Sequence, residues 1–189
     1  MDLKNLATAR QMFAQSVFTH KVQEVACELK EKRASKFKYI HLFLVSVVIV
    51  LLAVQAAHMD KPIFSYIGIG VSALEIIFLI AQLTYDFEKK AALHKNSALK
   101  YMALRDKYLL LITDVMSGRT KSDDLIARRN ALQQEYQNIC DLAPQTGSDE
   151  YDIAQKRLNN AGVVEGEQFT WSDEEIDRFL PKELRITSK

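Results

Sequence analysis

Residues 39–57, YIHLFLVSVVIVLLAVQAA, contain no Asp, Glu, Lys or Arg, and residues 63–85, IFSYIGIGVSALEIIFLIAQLTY, contain only Glu75. A helix needs about 20 mostly apolar residues to cross the hydrocarbon core of a bilayer. We therefore predict two transmembrane helices, at about residues 39–58 and 63–85. Only residues 58–62 join them, so the two helices are expected to be antiparallel neighbours. A buried helix pair in a soluble protein is the alternative, but such helices are usually shorter and rarely have basic clusters on their flanks.

Basic residues flank the predicted hairpin on the same side. Five Lys or Arg lie within residues 30–38 and three within residues 89–95, whereas the connecting loop has one Lys offset by one Asp. An excess of Lys and Arg in short flanking segments marks the cytoplasmic side of a membrane. We expect both chain termini to be cytoplasmic.

Outside the hairpin, apolar residues recur at helical spacing. The predicted regions are a cytoplasmic amphipathic helix (1–38), the hairpin (39–85), a cytoplasmic helical region (86–143) and an acidic tail (144–189) with two short helices, at 150–160 and 173–180. One unbroken helix is expected from residue 63 to Gly118, a second from Ser122 to Leu142, and Ser172 is a good N-cap. The predicted fold class is all-α: a membrane protein with a two-helix transmembrane hairpin and a cytoplasmic helical bundle built from long helical extensions.

The second span has a polar face. Its members, spaced by three, four, three and seven residues, are Ser65, Gly68, Ser72, Glu75 and Gln82. Small residues let helices approach closely in lipid, and a carboxyl group near mid-span is costly unless it avoids lipid. Two interpretations stay open: Glu75 could bond Ser46 or Gln55 and fix the hairpin, or a ring of Glu75 from several subunits could line a cation-preferring pore. The second interpretation requires a homo-oligomer.

No catalytic constellation is present. The glycines form no phosphate-binding loop, the four histidines are scattered, and no Ser-His-Asp or Cys-His pairing is suggested. We therefore predict that the chain is not an enzyme and has no catalytic residue, metal site or cofactor, and we expect no direct binding of DNA or RNA.

Several basic residues beyond the second span are candidate contacts for a ligand or an acidic lipid. They are Lys89, Lys90, Lys95 and Arg105. The plainer interpretation is that they form a solvated helix face and mark the cytoplasmic side. The acidic tail could also dock on these basic helices as an intramolecular latch.

Two stretches resemble the SLATT family, the SMODS and SLOG-associating two-transmembrane effector domains of bacterial conflict systems. They are residues 91–114, AALHKNSALKYMALRDKYLLLITD, and residues 169–177, FTWSDEEID. The order of an amphipathic helix, a two-span hairpin and a long helix is also similar, so the resemblance covers essentially the whole chain. It implies a membrane effector in antiphage defence that oligomerises and perforates the inner membrane. Activation would come from a nucleotide second messenger or a nucleotide-signalling partner protein. The resemblance assigns no catalytic residue and no pore residue.

Two functions follow as expectations. The first is a homo-oligomeric, pore-forming effector that acts on the lipid bilayer. The alternative is a membrane-anchored helical scaffold that recruits a partner without forming a pore. Replacing Glu75 separates them, because only the pore depends on the polar face of the second span.

Overall fold

The computed structural model describes residues 3–57, 62–118, 122–158 and 171–187. Every regular element within these ranges is helical, which confirms the predicted all-α class. The elements are α1 (Leu3–Ala57), α2 (Ile63–Tyr85), α3 (Phe87–Ser117), α4 (Ser122–Leu142), α5 (Ser148–Arg157), α6 (Asp173–Asp177) and a short 3₁₀ helix (Lys182–Leu184).

Asp86 interrupts the long helix that the sequence predicts between residue 63 and Gly118. Its φ of 38° and ψ of 59° place it in the left-handed region, and its backbone N–H donates to the carbonyl of Gln82. Its carboxylate then accepts a 3.1 Å hydrogen bond from the backbone N–H of Lys89, which satisfies a donor in the first turn of α3. The prediction of one continuous helix is therefore wrong, because Asp tolerates the left-handed conformation and caps the helix that follows.

The remaining helix ends follow local chemistry. Gly118 ends α3 with a φ of 65°, as predicted for a C-terminal glycine. Ser172 caps α6, because its hydroxyl accepts from the Glu175 N–H at 3.2 Å and the Glu175 carboxylate accepts from the Ser172 N–H at 2.9 Å. The two short helices differ from the predicted 150–160 and 173–180. Helix α5 begins two residues earlier and ends at Arg157, with residues 159–160 outside the described ranges, and α6 ends at Asp177.

The chain divides into two compact units. The hairpin unit is Glu28–Ala91, and the larger unit comprises Met1–Cys27 and Ala92–Lys189.

In the hairpin unit, α1 and α2 pack antiparallel. Phe37 stacks on Phe78 with ring centroids 4.9 Å apart, and at the other end the Gln55 side chain accepts the Ser65 N–H at 3.1 Å. Residues late in α1 thus contact residues early in α2, and residues earlier in α1 contact residues later in α2. The outward surfaces bear large exposed apolar residues, and both helices are long and apolar enough to cross a membrane.

In the larger unit, apolar stripes of α1 and α3 form the centre of the core. The buried residues of the two stripes include Leu6, Phe13, Phe18, Val22 and Val25 from α1 and Tyr101, Leu104, Tyr108, Leu111 and Ile112 from α3. His94 is also buried in this unit, and its Nδ1 lies 2.7 Å from Oε1 of Gln23. The amide of Gln23 donates to the Pro144 carbonyl at 3.1 Å. This polar chain joins α1, α3 and the connection before α5.

Candidate functional site

The polar face of α2 turns largely towards α1 in the hairpin unit. Gly68 is buried, Ser72, Glu75 and Gln82 are half-buried, and Ser65 is exposed near the start of the helix. The opposite side of α2 presents large apolar side chains, as expected for a surface in contact with lipid. In a single chain, the predicted polar face therefore belongs to the interface between the two spans.

Glu75 lies opposite His41, a partner that the sequence does not predict. The Glu75 Oε1 and His41 Nδ1 atoms are 3.6 Å apart, and the two side chains are 17% and 34% exposed. The predicted partners are engaged elsewhere: the Ser46 hydroxyl donates to the Leu42 carbonyl in its own helix, and Gln55 accepts the Ser65 N–H. The prediction that Glu75 bonds Ser46 or Gln55 is wrong, because the antiparallel pairing brings residue 75 level with residue 41.

A groove of about 500 Å³ runs beside this interface, between α1 and α2. Its polar lining comes from Gln55, Ser65 and Ser72, and the rest is apolar apart from Gly68. A Cβ at Gly68 would meet no atom within 4 Å. The small residues of α2 thus leave space along the hairpin instead of bringing α1 into closest contact.

The four basic candidates are divided between the two units. Lys89 and Lys90 are exposed in the first turn of α3 within the hairpin unit, whereas Lys95 and Arg105 belong to the larger unit. The Arg105 guanidinium donates to the Asp106 carboxylate at 2.7 and 2.9 Å. Arg105 is therefore already paired with a neighbouring acid.

Arg10 holds the C-terminal segment, residues 171–187, on α1. Its side chain is 1% exposed and donates to the carboxylates of Asp177 at 2.7 Å and Asp173 at 3.2 Å. Its other terminal nitrogen donates to the Leu184 carbonyl at 3.3 Å. The second Asp177 oxygen accepts the N–H of Ile186 at 3.1 Å and that of Thr187 at 2.8 Å. Buried charges persist only when they are paired and hydrogen-bonded. Both terminal nitrogens of Arg10 and both oxygens of Asp177 meet that condition, whereas the buried Arg10 Nε has no hydrogen-bond partner among the described residues.

Gln11 and Trp171 make a second attachment of the same segment. The Gln11 side chain donates to the Trp171 carbonyl at 2.7 Å and accepts the Trp171 N–H at 3.0 Å. The Trp171 ring lies 5.6 Å from that of Phe18 and is buried. The acidic tail does dock within the chain, and its described hydrogen bonds join it to Arg10 and Gln11 of α1. Residues 179–181 also line a pocket with Arg105, Asp106 and Leu109 of α3, so the tail lies beside one of the predicted basic residues.

The charge of Asp177 is strongly favoured in the folded protein. Burial alone raises its pKa, but the hydrogen bonds from Thr187 and from Arg10, with the positive charge of Arg10, outweigh burial and lower the pKa from 3.8 to about 2.

Tyr108 shows the opposite behaviour. Burial, helped by the nearby Tyr136 and Glu135, raises the pKa of its phenol to about 12, so it stays neutral.

Comparison with known proteins identifies the chain. The family model for SMODS and SLOG-associating 2TM effector domain family 4 matches residues 6–175. The chain belongs to this family. Searches of curated proteins and of solved structures find no match. Because the SLATT family is defined by two transmembrane segments and α1 and α2 have the length and composition to supply them, the chain is a membrane protein.

Three residues of this SLATT chain were missed as partners by sequence reasoning: Arg10, His41 and Asp177. Arg10 has a signal in the sequence, because it lies four residues after Leu6 and three before Phe13, on the apolar stripe of α1. His41 lies in an uncharged run, where a polar side chain also needs a partner. Asp177 lies between Ile176 and Arg178 and looks like one acid among many. Among the described residues, no cluster of three His, Cys, Asp or Glu could hold a metal ion.

Proposed function

We propose that this SLATT protein is an effector of a bacterial antiphage system that oligomerises in the inner membrane and forms a pore. Its termini lie in the cytoplasm, and its activating signal is a nucleotide or a partner protein that acts on the larger unit. The single observation that supports this proposal best is the polar face of α2, which centres on Glu75. A carboxyl group inside a span costs about 3 kcal/mol by insertion scales, which an anchor would have no reason to accept.

The geometry of the hairpin defines what activation has to do. In the single chain Glu75 faces His41, and the outward surfaces of both spans are apolar. For Glu75 to line a conduit, α2 has to rotate or separate from α1 and expose its polar face to the same face of other subunits. The pair of Glu75 with His41 belongs to the closed state, and the pore belongs to an oligomer in which α2 helices surround water.

The C-terminal segment supplies a restraint on the larger unit in this proposal. Arg10 and Gln11 tie residues 171–187 to the N-terminal part of α1, and the polar chain through Gln23 ties α1 to α3. Both α1 and α3 continue into the hairpin unit. A signal that loosens these contacts would therefore act on the two helices that lead to the spans.

The test is membrane depolarisation in bacteria that express the chain with its genomic neighbours during phage infection. A voltage-sensitive dye reports the membrane potential for the wild type, Glu75→Gln, Glu75→Leu and the control Thr84→Leu. Thr84 is an exposed polar residue of the same helix whose hydroxyl bonds only the Ile80 carbonyl among its described contacts, so its replacement changes polarity without touching the hairpin interface.

We expect the wild type and Thr84→Leu to depolarise infected cells, and Glu75→Leu to fail although it reaches the membrane in equal amount. Glu75→Gln keeps hydrogen bonding but loses the charge, so it should alter ion preference more than pore opening. If Glu75→Leu depolarises infected cells fully, Glu75 is excluded as a residue of the pore. If infected cells keep their potential with the wild type, the pore itself is excluded. The hairpin would then be an anchor for a helical scaffold.

A further inference from the structure

The cytoplasmic flank of the hairpin unit has basic residues without acidic partners. Residues 28–39 and 86–91 contain seven Lys or Arg against four Asp or Glu. Two of the acids are engaged locally: Glu88 pairs with Lys38, and Asp86 accepts the backbone N–H of Lys89. The other two, Glu28 and Glu31, lie at the end of this stretch of α1 farther from the span.

Five side chains of this flank have no carboxylate partner among the described residues. They form what we call the basic cluster: Lys32, Arg33, Lys36, Lys89 and Lys90. All five are exposed. Lys32, Arg33 and Lys36 line a groove of about 680 Å³ on α1 together with Tyr39, and Glu28 and Glu31 line its end farther from the span. An anion at the end of this groove near Tyr39 would meet these three cations, whereas Glu28 and Glu31 make the opposite end unfavourable for it.

Two tyrosines place the basic cluster at the membrane surface. Tyr39 begins the first predicted span and is 72% exposed, and Tyr85 ends the second and is 53% exposed. Tyrosine prefers the interface between head groups and hydrocarbon. Lys36 is three residues and Lys32 seven residues before Tyr39, which is about 5 and 10 Å along the helix. Lys89 and Lys90 follow Tyr85 within five residues.

The partner of the basic cluster must therefore be anionic, extended over two helices and located at the level of the head groups. A compact phosphate ligand would fit poorly. The backbone N–H groups of α1 are used inside an unbroken helix, and near the start of α3 the N–H of Lys89 is taken by the Asp86 side chain and that of Lys90 by the Asp86 carbonyl. Five side-chain cations spread around two helices suit a layer of separate phosphates.

We infer that the basic cluster binds the head groups of anionic phospholipids in the leaflet next to it. The inference does not depend on pore formation, because an anchor would use the same contacts. Each Lys or Arg near an anionic surface strengthens binding by about 1 kcal/mol, which is about fivefold. The long side chains can extend back to the phosphates while their methylene groups cover apolar surface. The cluster thereby favours membrane regions rich in anionic lipid.

The experiment uses the full chain in vesicles of phosphatidylcholine and phosphatidylglycerol. Electron spin resonance of spin-labelled lipids measures the relative association of phosphatidylglycerol and phosphatidylcholine with the protein. Since both leaflets have the same composition, the orientation of the protein does not matter. The test variant is Lys32→Gln/Arg33→Gln/Lys36→Gln, and Lys89→Gln/Lys90→Gln tests the second helix independently.

The matched control removes three exposed cations of the larger unit that also have no carboxylate partner among the described residues. It is Lys4→Gln/Lys100→Gln/Lys182→Gln. We expect the wild type and the control to prefer phosphatidylglycerol, and the triple variant of α1 to lose at least about fivefold of that preference. Added salt should lower the wild-type preference as well, because exposed charges are screened.

Three results would overturn the inference. The α1 variant could keep its preference, the control could lose as much as the α1 variant, or inorganic phosphate could abolish the preference at an ionic strength where chloride does not. The last result would mean that the cluster is a site for a soluble phosphate compound. Circular dichroism and recovery in the vesicle fraction show whether each variant is folded and inserted before its lipid preference is compared.

Discussion

Replacing Arg10 with methionine tests whether a buried ion pair holds the C-terminal segment on α1. Methionine fills most of the same space but removes the hydrogen bonds to Asp177, Asp173 and the Leu184 carbonyl. Removing one partner of a buried pair costs about 3–5 kcal/mol, because the other charge stays buried. Asp177 keeps its donors from Ile186 and Thr187, so we expect the lower end, about 3 kcal/mol.

Trp171 gives two measurements of this loss. It is the single tryptophan of the chain, it is buried, and its N–H donates to Gln11 of α1. A loss of about 3 kcal/mol in attachment raises the exchange rate of the Trp171 amide hydrogen roughly 150-fold in the full chain in detergent. Release of the ring to water also shifts its fluorescence to longer wavelength and exposes it to a soluble quencher.

Lys107→Met is the matched control for Arg10→Met. Lys107 pairs with Glu135 at 2.7 Å, the same distance as Arg10 and Asp177, but both side chains are more than a third exposed. Exposed ion pairs contribute about 0–1 kcal/mol, so exchange at Trp171 should rise less than about fivefold. Equal effects of the two variants would refute the reasoning from burial. The apolar contacts of Trp171, Ile176 and Leu180 would then hold the segment.

Three further predictions concern single positions. The pKa of Asp177 falls from 3.8 in the unfolded chain to about 2 in the folded protein, so its charge contributes about 2 kcal/mol to the stability of the fold. This stability is present above pH 3.8 and is lost as the pH falls through 2. Trp171 fluorescence measured against pH should show the loss, and Asp177→Asn should abolish this pH dependence. Ser172→Ala removes the cap of α6 and should cost about 1 kcal/mol in denaturant unfolding followed at Trp171. Gly68→Ala should keep or raise hairpin stability by up to about 1 kcal/mol, measured by circular dichroism during heating, since no atom lies within 4 Å of the new Cβ; a clear loss would show that another helix packs there.

The elements that the sequence predicts well depend on short-range chemistry. The two apolar runs are recognisable because the bilayer sets their length, and α2 ends at Tyr85, the last residue of the second run. Gly118 and Ser172 end and begin helices by capping, which involves only neighbouring residues. Asp86 escapes prediction although its chemistry is also local, because most Asp residues within helical patterns do not adopt the left-handed conformation.

The partners of the candidate residues depend instead on how helices pair in space. Glu75 is recognisable as a costly group in a span, but the choice between Ser46, Gln55 and His41 requires the relative position of α1 and α2. A shift of one helical turn along α1 changes the partner, and the loop that sets this shift is only five residues long. The sequence therefore predicts that Glu75 has a polar neighbour or faces water and leaves the identity of the neighbour open.

The sequence predicts that Arg10 has a counter-ion but does not predict which residue supplies it. A guanidinium on the apolar stripe between Leu6 and Phe13 is buried if the helix packs, and a buried cation needs a carboxylate with further hydrogen bonds. The existence of a counter-ion thus follows from periodicity alone. Its identity does not, because the chain has 24 Asp and Glu, and Asp177 is 167 residues away from Arg10 along the chain. Asp177 becomes a buried carboxylate only when the C-terminal segment packs. A charged residue within an apolar stripe therefore predicts a long-range attachment, and only the packing of the C-terminal segment determines which one.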